Sequence, residues 1–147
     1  MSSRFLFAVL TLAASLPASA VEPAQQEEPS SRAQLVVYRT PGWIGSLVPH
    51  VVMINGQRAA KLKSKSYTTL SLPPGQYTVC IFGDELCVEP FDIKAGETYF
   101  IRDTSDPKEY AGSSNQVLSI YLDRVDATAG QEQSTSLKQV EQEAGFK

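Results

Sequence analysis

The stretch Cys80-Ile81-Phe82-Gly83-Asp84-Glu85-Leu86-Cys87 limits the fold more than any other, because two independent patterns select one strand register. Gly83-Asp84 lies at its midpoint, and a two-residue loop with glycine first suits a type II′ hairpin. That turn pairs Phe82 with Glu85, Ile81 with Leu86, Cys80 with Cys87 and Val79 with Val88. One face is then Val79, Ile81, Leu86 and Val88, all apolar, and both cysteines fall on the opposite face. Residues opposed across antiparallel strands have Cα atoms about 4.5–5.5 Å apart, within reach of a disulfide. The spacing is not the C-x-x-C of a thiol oxidoreductase. A closed zinc site built on these cysteines and His50 needs a fourth ligand, which nothing in the sequence marks. A Cys80–Cys87 staple is the economical reading, and closing an eight-residue loop contributes about 2.5 kcal/mol on a chain-entropy estimate.

The rest of the chain repeats this turn-and-strand rhythm. Ala33-Gln-Leu-Val-Val-Tyr-Arg-Thr40 is β-branched and aromatic, and reads as a strand. Asn55-Gly56 between apolar runs signals a type I′ hairpin, with Ile54 opposite Gln57 and Val52 opposite Ala59. That register places Val51, Met53, Ala60 and Leu62 on the core face. Pro73-Pro74-Gly75 suits a type II turn between two further strands, and Lys94-Ala95-Gly96-Glu97 the turn of another hairpin. Residues 104–115 read as a polar loop, followed by a last strand over 117–125. The expected class is all-β: an antiparallel β-sandwich of about 7–8 short strands with a short C-terminal helix. Ser136 with Gln139 three residues on matches a capping box, and Gly145 can stop a helix starting there.

Residues 1–20 have the layout of a secretory signal peptide: Arg4, an apolar run from Phe5 to Leu16, Pro17, then Ala18-Ser19-Ala20. The apolar run is too short for a permanent membrane span, and no second one follows. No cysteine stands just after the cleavage site to carry a lipid anchor. The expected location is the periplasm, with secretion as the alternative. Residues 21–33 are a flexible leader, 34–126 the β-sandwich domain and 127–147 a polar tail with the short helix. The roughly 125 residues left after cleavage make one domain. The chain holds 13 basic residues, one of them Arg4 of the leader peptide, against 16 acidic. With no basic stripe beyond Lys61 to Lys65, read as a solvated edge, nucleic acid is not an expected partner.

Leu35-Val-Val-Tyr-Arg39, Ile54-Asn-Gly-Gln57, Pro73-Pro-Gly-Gln-Tyr-Thr-Val79 and Ile93-Lys-Ala-Gly-Glu-Thr-Tyr99 together resemble a family of exported bacterial proteins. It is catalogued as domain of unknown function 2846. The turn motifs are also similar to the small sandwich modules named for a Pro-Glu-Gly-Ala motif. The resemblance spans about residues 34–125 and implies a fold, without an activity or catalytic residues to carry over.

Chemistry-bearing residues are few. His50 is the single histidine, a general base by type and otherwise a partly exposed strand residue. Asp103, Asp106 and Glu109 offer oxygen ligands but lack the glycine and spacing of an EF-hand loop, so a solvated loop is expected. Gly42 and Gly45 lack the Lys-Ser/Thr of a phosphate loop, and no pair of carboxylates is marked for glycoside hydrolysis. No catalytic constellation, metal site or cofactor motif is expected. Trp43, the single tryptophan, sits in a Gly-flanked loop and either makes a contact surface or folds back over the core. Trp43, Ile44, His50 and Tyr110 form the candidate binding surface. The expected function is a non-enzymatic module in protein–protein or cell-envelope contact. The alternative is binding of a small ligand, a carbohydrate or peptidoglycan fragment; an enzyme of unrecognised type comes third. An envelope protein or cell-wall component is the expected partner.

Overall fold

A computed structural model describes residues 31–42, 47–83, 86–109 and 116–146. It is an all-β sandwich with one short helix near the C-terminus. The strands are β1 (Ala33–Arg39), β2 (His50–Ile54), β3 (Gln57–Leu62), β4 (Ser66–Leu72), β5 (Gly75–Tyr77) and β6 (Val79–Ile81). They continue as β7 (Leu86–Cys87), β8 (Phe91–Ile93), β9 (Thr98–Glu109) and β10 (Gln116–Val125). Helix α1 (Ala127–Thr135) and β11 (Lys138–Gln139) follow. One sheet has five strands in the order β10-β9-β1-β4-β11. The facing layer is a four-stranded sheet, β3-β2-β6-β7, continued by the pair β5-β8.

The core lies between these layers. Leu35 and Val37 of β1, Leu70 and Leu72 of β4, and Ile101 of β9 meet Val52 and Ile54 of β2, Val79 and Ile81 of β6, and Ile93 of β8. Period-2 alternation puts each set on one face of its strand. The outer face of the five-stranded sheet carries a smaller cluster, Val36, Tyr38 and Phe100, under α1. Asp126 caps this helix, its carboxylate accepting from the Ala129 N–H at 2.9 Å. The Tyr38 hydroxyl donates to Gln133 Oε1 at 2.8 Å. A Cβ at Gly130 would overlap the Phe100 ring, so the helix backbone rests directly on that ring.

The cysteine hairpin forms in the expected register, with Cys80 opposite Cys87 and Ile81 opposite Leu86. The two cysteines are disulfide-bonded, their Cα atoms 4.1 Å apart. Asn55 and Gly56 take φ of 47° and 80°, the positive values a type I′ turn requires. Ile54 opposes Gln57 as expected, and Ala60 and Leu62 are buried, but from Val52 on the expected register fails. A bulge between Val52 and Met53 opposes Val52 to Ala60 and leaves Ala59 unpaired on that side. The core face of β2 is therefore Val52 and Ile54, with Val51 and Met53 only half-buried.

Two expected hairpins are crossovers instead. β5 pairs with β8 rather than β4, and Gly75 has φ of 157°, not the value near +80° of a type II turn. After the Lys94–Glu97 turn, β9 joins β1 and β10 while β8 stays in the other layer. Two pairings, β1 with β9 and β4 with β11, are parallel. Long strands are broken at Thr78 and before Phe91, which raises the segment count above the expected number. Asn55 stitches the first break, its Oδ1 accepting from Thr78 N–H at 2.8 Å and its own N–H donating to Thr78 O at 3.0 Å. Much of the expected 104–115 loop is strand, since β9 runs to Glu109 and pairs with β10. Pro107 is tolerated there because β1 ends at Arg39, opposite Asp103, so Pro107 meets no β1 ladder. The helix precedes the expected start: Ser136 is its C-cap, and Lys138–Gln139 beyond it is strand.

Gly130→Ala tests how α1 docks. Helix propensity alone predicts a gain of about 1 kcal/mol, whereas overlap with Phe100 predicts a loss of about 1–3 kcal/mol. A urea denaturation curve should show the loss; a gain would mean the helix does not rest on Phe100.

Candidate functional site

At one end of the sandwich the core changes character. Along β1 the inward series Leu35, Val37 ends in Arg39; along β9 Ile101 is followed by Asp103 and Ser105. On β4 Leu72 and Leu70 give way to Thr68 and Ser66, and on β2 Ile54 and Val52 give way to His50. Register explains the convergence, since Arg39 lies opposite both Ser66 and Asp103. Arg39 is 2%, Asp103 0% and His50 7% exposed, so three groups of charge-bearing type share a nearly dry space.

His50 Nδ1 lies 2.6 Å from Asp103 Oδ2, and Arg39 Nε lies 4.0 Å from the same oxygen. A carboxylate only accepts, so the Nδ1 position carries the proton. Arg39 Nη1 donates to the Val48 carbonyl at 2.7 Å and the Leu62 carbonyl at 3.3 Å. Burial pushes the Arg39 guanidinium below its ordinary range, and the charge of Asp103 acts in the opposite direction. Arginine stays protonated regardless. Both contacts cross the sandwich: Asp103 of β9 holds β2 through His50, and Arg39 of β1 holds β3 through Leu62 and the approach to β2 through Val48. Thr40 N–H donates to the Asp103 carbonyl at 3.0 Å, continuing the β1–β9 ladder by one bond.

Some polar atoms here are left over. Asp103 Oδ1, Ser105 Oγ and Thr68 Oγ1 are buried without a hydrogen-bond partner among the described residues. Such orphans cost about 1–3 kcal/mol each, which makes them notable on an inward face that could have stayed apolar. An imidazole held by a carboxylate is half of a nucleophile-activating set. Among the described residues the His50 ring makes one hydrogen bond, that to Asp103.

The expected site residues divide accordingly. His50 is buried and fastened to Asp103 rather than partly exposed, because β2 takes the register in which it faces inward. Trp43, Ile44 and Tyr110 lie outside the described residues. Asp103 stands on a strand and bonds inward, not in a solvated acidic loop, and no three His, Cys, Asp or Glu gather among the described residues. Arg39 is a member of the cluster that the motif search does not single out. Its signal was available: it closes the alternating inward series Leu35, Val37 on an otherwise apolar face.

Exposed apolar side chains stand at this end as well. Among the described residues three large hydrophobics are exposed: Leu47 at 96%, Val48 at 64% and Phe82 at 67%. Leu47 and Val48 precede β2, and Phe82 N–H donates to the Val51 carbonyl at 2.9 Å, so all three stand at the same end. Close by on the outer face, Thr40, Arg102, Thr104, Tyr121 and Asp123 line a cleft of about 300 Å³. Across it Arg102 grips Asp123 through Nε (3.2 Å) and Nη2 (2.8 Å).

No protein-family model, curated protein or solved structure matches the chain.

Asp103→Asn keeps the shape and removes the charge that faces Arg39. Breaking a buried pair from one side costs about 3–5 kcal/mol, and urea denaturation should show a loss of that size. A change under about 1 kcal/mol would contradict the cross-sheet role, being no more than an exposed pair is worth.

Proposed function

We propose that this chain is an exported, non-enzymatic β-sandwich module of the bacterial periplasm that acts by protein–protein contact at the cell envelope. The observation that carries this reading is the apolar end, where Leu47, Val48 and Phe82 stand exposed together. Exposed hydrophobics gathered on one surface mark interaction sites, whereas scattered ones need no explanation. Trp43 and Ile44 fall in the same connection by sequence, between Gly42 and Leu47. Tryptophan is enriched among residues that dominate binding energy.

Export is supported by the leader layout of residues 1–20 and by the Cys80–Cys87 disulfide, which suits an oxidising compartment. No described helix is long and apolar enough to cross a membrane. The same proposal includes kinship with the exported family that the turn motifs resemble. His50 serves stability in this reading, its ring engaged by Asp103 beneath the contact surface.

A second reading, binding of a carbohydrate or peptidoglycan fragment, rests on the cleft between Thr40 and Asp123. Its hydroxyl-, guanidinium- and carboxylate-bearing residues suit a polyhydroxylated ligand, and its size is at the small end of ligand pockets.

Affinity capture from envelope fractions, with the unaltered chain and a Leu47→Asp/Phe82→Asp variant as baits, decides between them. Both positions are exposed, so the variant should melt at nearly the same temperature. Contact through the apolar end predicts a specific protein captured by the unaltered chain and reduced about tenfold or more by the variant, a loss of about 1.4 kcal/mol. Equal capture by both baits would refute that surface. Retention on isolated cell wall without a protein partner would favour the second reading.

A further inference from the structure

Beyond the contact end, the last residues lie on the body in the manner of a bound peptide. After α1 the chain turns and returns along the edge of β4. Lys138 N–H donates to Lys65 O at 3.0 Å, and Val140 N–H to Tyr67 O at 2.8 Å. Lys138 and Gln139 pair in parallel with Ser66 and Tyr67. The segment then crosses to the other layer, where Glu143 N–H donates to Ala59 O at 2.6 Å. Ala59 is the residue that the β2–β3 bulge leaves without a partner on β2.

Side chains complete the seat. The Glu143 carboxylate lies 3.4 Å from Arg58 Nη2 and 3.8 Å from Lys61 Nζ. Val140 and Phe146 pack against the main core. Phe146 shares a hollow of about 250 Å³ with Ile54, Asn55, Gln57, Leu72, Pro73 and Tyr77. Strand addition, a charge match and an apolar anchor are the means by which domains hold linear peptides. Each is weak here: a two-residue ladder, exposed ion pairs worth about 0–1 kcal/mol, and a ring only partly covered. A segment held so lightly opens far more readily than the core.

We propose that this groove is a peptide-binding site occupied in cis by the chain's own tail. Its partner in trans is a linear segment of another protein that repeats the spacing of Val140, Glu143 and Phe146. That means an aliphatic residue, an acidic one three positions on, and an aromatic three positions further. Arg58 and Lys61 select the acid, the Ile54–Leu72–Tyr77 hollow takes the aromatic ring, and the β4 edge takes the backbone. The tethered tail competes at high effective concentration, which lowers the apparent affinity for any partner.

Fluorescence anisotropy with a labelled peptide of residues 136–147 tests this on the full chain and on its Phe146→Ala variant. Weakening the tail should unmask the groove, so the variant should bind the peptide about tenfold more tightly than the unaltered chain. A full chain carrying Glu143→Lys weakens the tail by a separate contact and serves if Phe146→Ala impairs folding. Peptides carrying Glu143→Lys or Phe146→Ala should bind about tenfold more weakly than the unaltered peptide. Absence of saturable binding, equal affinity for masked and unmasked chains, or indifference to the peptide substitutions would overturn the proposal. A dimer of the unaltered chain, formed by exchange of this segment, would assign the groove to a second copy and also overturn it.

Discussion

Asp103 takes the His50 ring from the facing sheet while lying beside Arg39 of its own, and the polar end of the sandwich is organised about that carboxylate. The disulfide cannot serve this purpose, because Cys80 and Cys87 belong to neighbouring strands of one sheet. What holds one layer to the other is the apolar core, the two contacts through Asp103 and Arg39, and the returning C-terminal segment. The apolar core is non-directional and fixes little about relative position. A buried ion pair with its hydrogen bonds adds geometry more than net stability. The Asp103–His50 contact thereby sets where β2 begins relative to β9, and the Arg39–Val48 bond sets how the chain enters β2.

That placement has a consequence for the surface. With Val48 fixed by its carbonyl, its side chain and that of Leu47 stand outward, near Phe82 on the disulfide hairpin. The hairpin itself is stapled at Cys80–Cys87, directly behind Phe82. Rigid supports on both sides present apolar groups at low entropic cost, which favours binding. The groove that holds the tail is organised differently, running from Ser66, beside Arg39, to the far end at Leu72 and Pro73. Along it the tail meets the carbonyl of Ala59, the residue the bulge leaves without a partner on β2. The two surfaces therefore offer distinct recognition modes, one a rigid apolar patch and the other a strand edge with a charge match.

Local chemistry in the sequence was enough for the all-β class, the Cys80–Cys87 register and the Asn55-Gly56 turn. In each, a turn residue with positive φ and an alternating pattern point the same way. The failures are non-local. The bulge opposite Val52 admits Ala59, whose carbonyl meets Glu143 across most of the domain, so Ala60 faces Val52 rather than Val51. Pro73-Pro74-Gly75 marks a change of direction but cannot say that the next strand will join β8 rather than β4. Pro107 reads as a loop residue until β1 is known to stop at Arg39. The capping box at Ser136 lost to Asp126, which caps a helix of weak propensity that is stable because it packs on Phe100. The buried cluster was half legible: Arg39 sits on an apolar face in the sequence, but its company with Asp103 and His50 follows only from parallel pairing of β1 and β9.

The most direct measurement of the cross-sheet contact is the state of the His50 ring, read by ¹⁵N–¹H correlation NMR at neutral pH. This is the single histidine, so assignment is unambiguous. A hydrogen bond from Nδ1 to Asp103 Oδ2 predicts a protonated Nδ1 with a slowly exchanging, downfield-shifted proton, lost in Asp103→Asn. An unprotonated Nδ1 with the proton on Nε2, or a ring proton exchanging as fast as in a free imidazole, would contradict the contact on which this end of the sandwich is built.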